Sequence, residues 1–121
     1  MICLICIFIL AGCVQTASPI RLPNLKKISS IDISFEGNKI HHTDKSWIND
    51  VVSGIKHAKA TRKESVQDEP KVDEYIKIDI KYSGNTSTLF AYENKKKYYI
   101  EQPYQGIYEI DDNLYHKFQQ K

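Results

Sequence analysis

One cysteine stands at the end of an apolar N-terminal run, in a setting that suits chemistry at its sulfur. Cys13 directly follows Leu10, Ala11 and Gly12. The small side chains of Ala11 and Gly12 let a peptidase approach an extended backbone, and the sulfur of Cys13 is a nucleophile that can accept a diacylglyceryl group as a thioether. Cys13 is therefore the candidate residue for lipidation, and Leu10, Ala11 and Gly12 are the candidates for recognition by a peptidase.

The residues before Cys13 match an export signal in length and polarity. Residues 2–12 form an uncharged apolar run of about ten residues, shorter than the ~20 residues of a membrane-spanning helix. With Cys13 they resemble the lipobox of bacterial lipoproteins, although no lysine or arginine precedes Arg21. The resemblance implies a signal peptide (1–12), lipid on Cys13 and a location on the outer face of the cell membrane. The small and polar residues that follow, with Pro19 and Pro23, predict a flexible tether (13–27) before one domain (28–121). The alternative is a buried N-terminal element with an ordinary core cysteine.

The distribution of cysteines agrees with export. Cys3 and Cys6 lie in the segment that a signal peptidase would remove, and Cys13 would carry fatty acyl groups such as palmitate. Two acyl chains anchor a protein stably, whereas one chain is marginal. The mature domain would then have neither a free thiol nor a disulfide, which excludes thiol catalysis and thiolate metal sites within it.

Tyrosine is the most distinctive residue type in the second half of the chain. Residues 98–108 contain four tyrosines in eleven positions, and strand alternation would place Tyr98 and Tyr99 on opposite faces. Aromatic rings with a polar tip suit both cores and binding surfaces. Sheet packing is one interpretation of this segment. The other is a binding surface for a protein or peptide of the cell envelope, with candidate residues Tyr92, Tyr99, Tyr104 and Tyr108.

Other reactive side chains form no recognisable constellation. His41 and His42 are adjacent, and neighbouring side chains of a strand point to opposite faces, so their imidazoles diverge from a common metal. The carboxylates of residues 64–74 lack the glycine and regular oxygen spacing of a calcium loop. Ser53 and Ser65 lack a nucleophile-elbow sequence. The sequence therefore predicts a non-catalytic domain with no metal and no cofactor.

Composition favours one folded domain and disfavours nucleic acid as a partner. The chain has 121 residues, of which 41% are hydrophobic and 26% are charged. Its net charge of +2 comes from 17 basic and 15 acidic residues that are interleaved, so no large field of one sign is expected.

Hydrophobic periodicity predicts the elements. A helix capped by Thr43 or Asp44 should end near residues 60–62, and a last helix should follow Asp111 or Asp112. Period-2 alternation predicts strands over residues 28–35, 75–82, 86–92 and 97–102, with short strands over 39–42 and, at an edge, 107–110. The fold class is α+β: an antiparallel sheet of four to five strands, with one main helix on one face and a short C-terminal helix.

Several segments together resemble an uncharacterised domain of small Gram-positive (Firmicute) lipoproteins. They are Thr61-Arg62, residues 65–70, the strand over 75–82 and the tyrosine-rich run over 98–108. The same segments are similar to extracytoplasmic regions appended to membrane sensor peptidases of the antibiotic-sensing type. The resemblance implies an outward-facing, non-catalytic domain and carries no known activity.

Two functional hypotheses follow from the sequence. The first is a lipid-anchored extracytoplasmic binding or accessory module that recognises an envelope partner through its tyrosine-rich sheet. The alternative is an immunity lipoprotein that intercepts a bacteriocin or a wall-active agent at the membrane. A surface hydrolase would need convergent carboxylates or a serine–histidine pair, and the sequence singles out neither.

Overall fold

The computed structural model describes residues 18–120, which contain seven strands and two α-helices. In chain order, the elements are a 3₁₀ turn (Leu25–Lys27), β1 (Ile28–Phe35), β2 (Asn38–His42), α1 (Lys45–Lys56), β3 (Lys59–Ala60), β4 (Ile76–Tyr82), β5 (Asn85–Asn94), β6 (Lys97–Gln102), β7 (Gly106–Ile110) and α2 (Asp112–Phe118).

All seven strands belong to one antiparallel sheet with the order β2-β1-β4-β5-β6-β7-β3. The α+β class and the antiparallel sheet are confirmed, whereas the predicted count of four to five strands is too low. The short strands predicted over residues 39–42 and 107–110 both form, as β2 and β7. β3 is additional, and side-chain alternation cannot reveal a strand of only two residues. Because β3 pairs with β7, residues 107–110 are not the edge strand that the sequence predicted.

Helix α1 links the two opposite edges of the sheet. Its N-cap is Asp44, whose side chain accepts a hydrogen bond from the backbone N–H of Ser46, as the sequence predicted. The helix buries four aliphatic side chains at helical spacing, Ile48, Val51, Val52 and Ile55. It ends at Lys56 rather than near residues 60–62, because the chain there pairs with β7 as β3.

Both helices cover the same face of the sheet and enclose the core. The strands contribute isoleucines at alternate positions, and α2 contributes Leu114 and Phe118. A methyl group added at Gly54 of α1 would lie 2.9 Å from Cδ1 of Leu114, so the two helices approach closely there. Neither helix within residues 18–120 is long and apolar enough to cross a membrane.

The long connection between β3 and β4 covers part of the opposite face. Ser65 and Pro70 are buried in this loop, and Tyr75 packs edge-on against Phe90 of β5 at a centroid distance of 5.1 Å. The acidic residues of the loop, at positions 64, 68, 69, 73 and 74, are all exposed. The loop is therefore solvated on its outer side and packed on its inner side.

The segment before β1 lies against the sheet. The backbone N–H of Arg21 donates to the Gln102 side chain at 2.7 Å, and that side chain donates back to the Arg21 carbonyl at 2.7 Å. The Tyr108 hydroxyl donates to the carbonyl of Ser18. The flexible tether predicted for residues 13–27 is thus fixed from Ser18 onward, and the folded domain begins earlier than Ile28.

Candidate binding surface

The four candidate tyrosines lie on two faces of the sheet and in a turn. Tyr92 and Tyr99 are cross-strand partners on β5 and β6, with ring centroids 5.9 Å apart. Tyr108 pairs with Ile100 and shares its helix-covered face, while Tyr104 lies in the β6–β7 turn. These side chains do not form one surface, because they lie on opposite faces of the sheet and in a turn.

Burial removes two of the four from contact with a partner. Tyr92 is 5% exposed and Tyr108 is 1% exposed. Burial, reinforced by the nearby Glu101 carboxyl, raises the pKa of the Tyr92 hydroxyl well above its ordinary value. Tyr92 is therefore a protonated hydrogen-bond donor inside the fold, and a partner could contact only Tyr99 and Tyr104.

Glu101 is the polar centre of the face beneath the β3–β4 loop. Its side chain is among the fully buried ones. Oε2 accepts hydrogen bonds from Ser65 Oγ at 2.9 Å and Gln67 Nε2 at 3.0 Å, and Oε1 accepts one from the Tyr92 hydroxyl at 3.3 Å. A buried carboxyl needs such donors to offset its lost hydration. Glu101 therefore fixes the loop to the sheet.

The same contacts turn an apolar side chain outward. Ser65 and Gln67 face Glu101, so Val66 between them points to solvent and is 67% exposed. Tyr104 is 66% exposed, and its hydroxyl donates to Asp68 Oδ1 at 2.6 Å. The loop carrying Val66 and the turn carrying Tyr104 are thus joined. We call Val66, Asp68 and Tyr104 the loop–turn surface.

The backbone of Tyr104 has an unusual conformation. Its φ is +61°, in the left-handed region that bulky residues rarely adopt. The hydrogen bond to Asp68, which also raises the pKa of the Tyr104 hydroxyl, holds the ring in its exposed position.

The adjacent histidines diverge, as strand geometry predicted. His41 Nδ1 lies 2.5 Å from Asp32 Oδ1 on one side of the sheet, while the His42 ring stacks on Trp47 of α1 on the other. Burial alone would raise the pKa of Asp32, but the hydrogen bond from His41 and the charge of Lys39 hold it below its usual value. Asp32 therefore forms a structural ion pair with Lys39, at 3.5 Å, beside its hydrogen bond with His41.

A cleft of about 630 Å³ opens between the end of α1, β3 and the start of α2. Two of its polar side chains have partners within the fold: Asp50 pairs with Lys117 at 3.3 Å, and His57 Nδ1 lies 2.7 Å from the Ser53 carbonyl. In the described part of the chain, no three His, Cys, Asp or Glu side chains are grouped to hold a metal ion. The predicted lipidation site and its recognition residues, 10–13, lie outside the described residues.

Sequence reasoning missed Glu101 and the loop that it holds. The signal was present in part, since alternation along β6 places residue 101 on the same face as Tyr99. Its partners Ser65 and Gln67 lie 36 and 34 residues away in sequence. No local pattern joins residues so far apart.

The fold and the loop–turn surface define a small α+β domain with helices on one sheet face and a fixed loop on the other. The DUF5301 family, described as a domain of unknown function (DUF5300), matches residues 16–109. The match spans more than half of the chain, so the protein belongs to this family. The expected resemblance to an uncharacterised domain is confirmed, and its occurrence in lipoproteins or beside sensor peptidases stays a prediction.

A solved relative has the same fold. The chain is similar to a protein from Ruminococcus gnavus with an NMR structure, at 38% sequence identity and a TM-score of 0.69. The alignment covers 80% of this chain and 99% of that chain. A comparison with curated proteins gives no match. The family match begins at residue 16, which agrees with the packing of residues 18–27 against the domain.

Proposed function

We propose that the protein is a non-catalytic binding module, exported and anchored on the outer face of the membrane by lipid on Cys13. The support for the anchor is the order Leu10-Ala11-Gly12-Cys13 after an apolar run. The support for binding comes from the folded domain. In this proposal the anchor sets the location and the loop–turn surface makes the contact with an envelope ligand.

One observation carries the binding role. Val66 and Tyr104 are the large exposed hydrophobic side chains of the described residues, and the Tyr104–Asp68 hydrogen bond joins the two segments that bear them. Glu101 holds the loop from below. Apolar groups held in place before binding lose little conformational entropy when a ligand covers them. This surface therefore suits recognition.

The polar groups near this surface support a binding role rather than catalysis. The Glu101 carboxyl is buried and engaged by three donors, so it is not positioned to exchange a proton with a substrate. Asp68 is engaged by Tyr104. Both carboxyl groups serve to shape the surface.

The anchor is tested by intact mass spectrometry of protein purified from membranes of the producing cell. We expect a chain that begins at Cys13 and carries a diacylglyceryl group, and we expect Cys13→Ala to leave the membrane fraction or to retain its leader. A native chain with an intact leader, or with unmodified Cys13, would contradict the proposal.

The surface is tested by photo-crosslinking in intact cells, with a benzophenone amino acid placed at Tyr104 or, as the control, at Lys96. Both positions are exposed turn residues with positive φ, +61° and +66°. They therefore match in accessibility and backbone strain. We expect several-fold more adducts with envelope components at position 104. Equal yields at the two positions would contradict a role for the loop–turn surface.

A further inference from the structure

The strand pairings bring several termini to one end of the sheet. Ile28, where β1 begins, pairs with Tyr82, where β4 ends. Gln102, where β6 ends, pairs with Gly106, where β7 begins. We call this end of the sheet the anchor end. The β5–β6 turn lies at the opposite end, separated by the length of β6, about 20 Å.

Residues 18–27, the described segment before β1, are fixed at the anchor end. Gln105 of the β6–β7 turn donates to the Pro19 carbonyl at 2.9 Å, and Arg21 and Gln102 form two hydrogen bonds. Cys13 precedes Ser18 by five residues, which span at most about 18 Å when extended. A lipid on Cys13 would therefore hold the anchor end close to the bilayer.

Exposed basic side chains surround the anchor end. Arg21, Lys26, Lys27 and Lys45 are all exposed, and within residues 18–120 none of the four forms an ion pair. The acidic groups Asp44 and Asp68, which also lie there, are engaged as a helix cap and by Tyr104. These neutral donors leave both carboxylates charged, so the four basic and two acidic groups together give this end of the molecule a net charge of +2.

Apolar groups accompany that charge. Tyr104 lies directly before Gln105, which contacts the N-terminal segment, and Val66 lies on the loop that Tyr104 joins. A groove of about 470 Å³ has Leu25, Ile28 and Ile48 in its lining. Lys26 and Lys45 line the same groove. Apolar and aromatic side chains among cations suit the interface between water and lipid.

We propose that the ligand of the loop–turn surface is the bilayer itself, an anionic phospholipid surface against which the anchor end docks. The proposal rests on the proposed function, because lipid on Cys13 is what brings this end to the membrane. Tyr104 and Val66 then lie at the depth of the headgroups. The four basic side chains face the phosphates within about one Debye length, ~8 Å, of the surface.

Depth-dependent quenching tests this docking on the full-length, lipidated protein in vesicles. An NBD fluorophore is attached to Tyr104→Cys or, at the opposite end, to Lys96→Cys. The vesicles contain nitroxide-labelled phosphatidylcholine, with or without phosphatidylglycerol. Lipidation of Cys13 and loss of Cys3 and Cys6 with the leader would leave the introduced thiol as the single site for labelling.

We expect quenching at position 104 to exceed that at position 96 by about threefold or more, because about 20 Å separates the two ends of the sheet. Phosphatidylglycerol should increase quenching at 104. The double substitution Lys26→Glu/Lys27→Glu should lower it by about twofold, since each lysine near an anionic surface adds attraction. The matched control is Lys95→Glu/Lys96→Glu, which makes the same charge change at the opposite end of the sheet. This control should leave the quenching at position 104 unchanged.

Three failures are distinguishable in this experiment. Equal quenching at both positions, in protein whose mass shows lipid on Cys13, would overturn the proposed docking but not the proposed anchor. Proteins crosslinked at position 104 in cells would then identify the alternative ligand. Quenching at position 104 that is the same with and without phosphatidylglycerol would overturn the role of the basic side chains. Unmodified Cys13 would overturn the proposed function instead.

Discussion

At the scale of single residues, the loop–turn surface depends on Glu101. This carboxyl satisfies three donors from the loop and from β5, and without it those donors would remain buried and unpaired. A buried donor that loses its acceptor costs about 1–3 kcal/mol. Glu101 therefore couples the stability of the fold to the position of Val66.

We expect Glu101→Ala to lower the free energy of unfolding by about 3 kcal/mol or more, measured by urea denaturation. The control is Glu93→Ala, which removes an exposed carboxylate from the neighbouring strand and should change stability by less than about 0.5 kcal/mol. Similar effects of the two substitutions would show that the buried hydrogen bonds of Glu101 contribute little.

At the scale of elements, the contact between the two helices depends on one small residue. Gly54 lies on α1 beside Leu114 of α2, and an added Cβ would come within 2.9 Å of Cδ1 and 3.2 Å of Cδ2. Glycine weakens an isolated helix by about 1 kcal/mol relative to alanine. Close approach of α2 to α1 is the structural feature that a larger side chain at this position would disturb.

We expect Gly54→Val to destabilise the protein by about 2 kcal/mol, because valine adds two methyl groups beyond the Cβ in a packed contact. The cost should be smaller when it is measured in a Leu114→Ala background, where space is available, so a double-mutant cycle shows coupling. Ser53→Val, at the exposed neighbouring position, is the control. If Gly54→Val destabilised the protein equally with Leu114 and with Leu114→Ala, the destabilisation would not come from the contact with Leu114.

The elements also show what the sequence could predict. The bounds of β1 and β6 match the prediction, and Asp44 and Asp111 cap the two helices as expected, because periodicity and capping are local. β3 was missed, since its two residues are defined only by pairing with β7, nearly fifty residues later. The packing of the loop on Glu101 was missed for the same reason.

At the scale of the whole molecule, residues 18–27 pack on the domain as part of its fold. The composition of this segment, with Pro19 and Pro23, predicted a flexible spacer. Side chains of Gln102, Gln105 and Tyr108 satisfy its backbone instead. Such partners cannot be inferred from the segment's own residues, because they lie about 80 to 90 positions later in the sequence.

The packing of residues 18–27 on the sheet should slow the cleavage of the chain by trypsin after Arg21. Cleavage requires the segment to leave the sheet, so its rate follows the free energy of local opening. Gln102→Ala removes both hydrogen bonds to Arg21, at about 1.4 kcal/mol together, and should speed cleavage there about tenfold. Cleavage after Arg62, in the exposed β3–β4 loop, is the internal control and should keep its rate. Mass spectrometry of the fragments over time follows cleavage at both sites. An unchanged rate of cleavage after Arg21 in Gln102→Ala would mean that apolar contacts with the core, rather than Gln102, hold the segment.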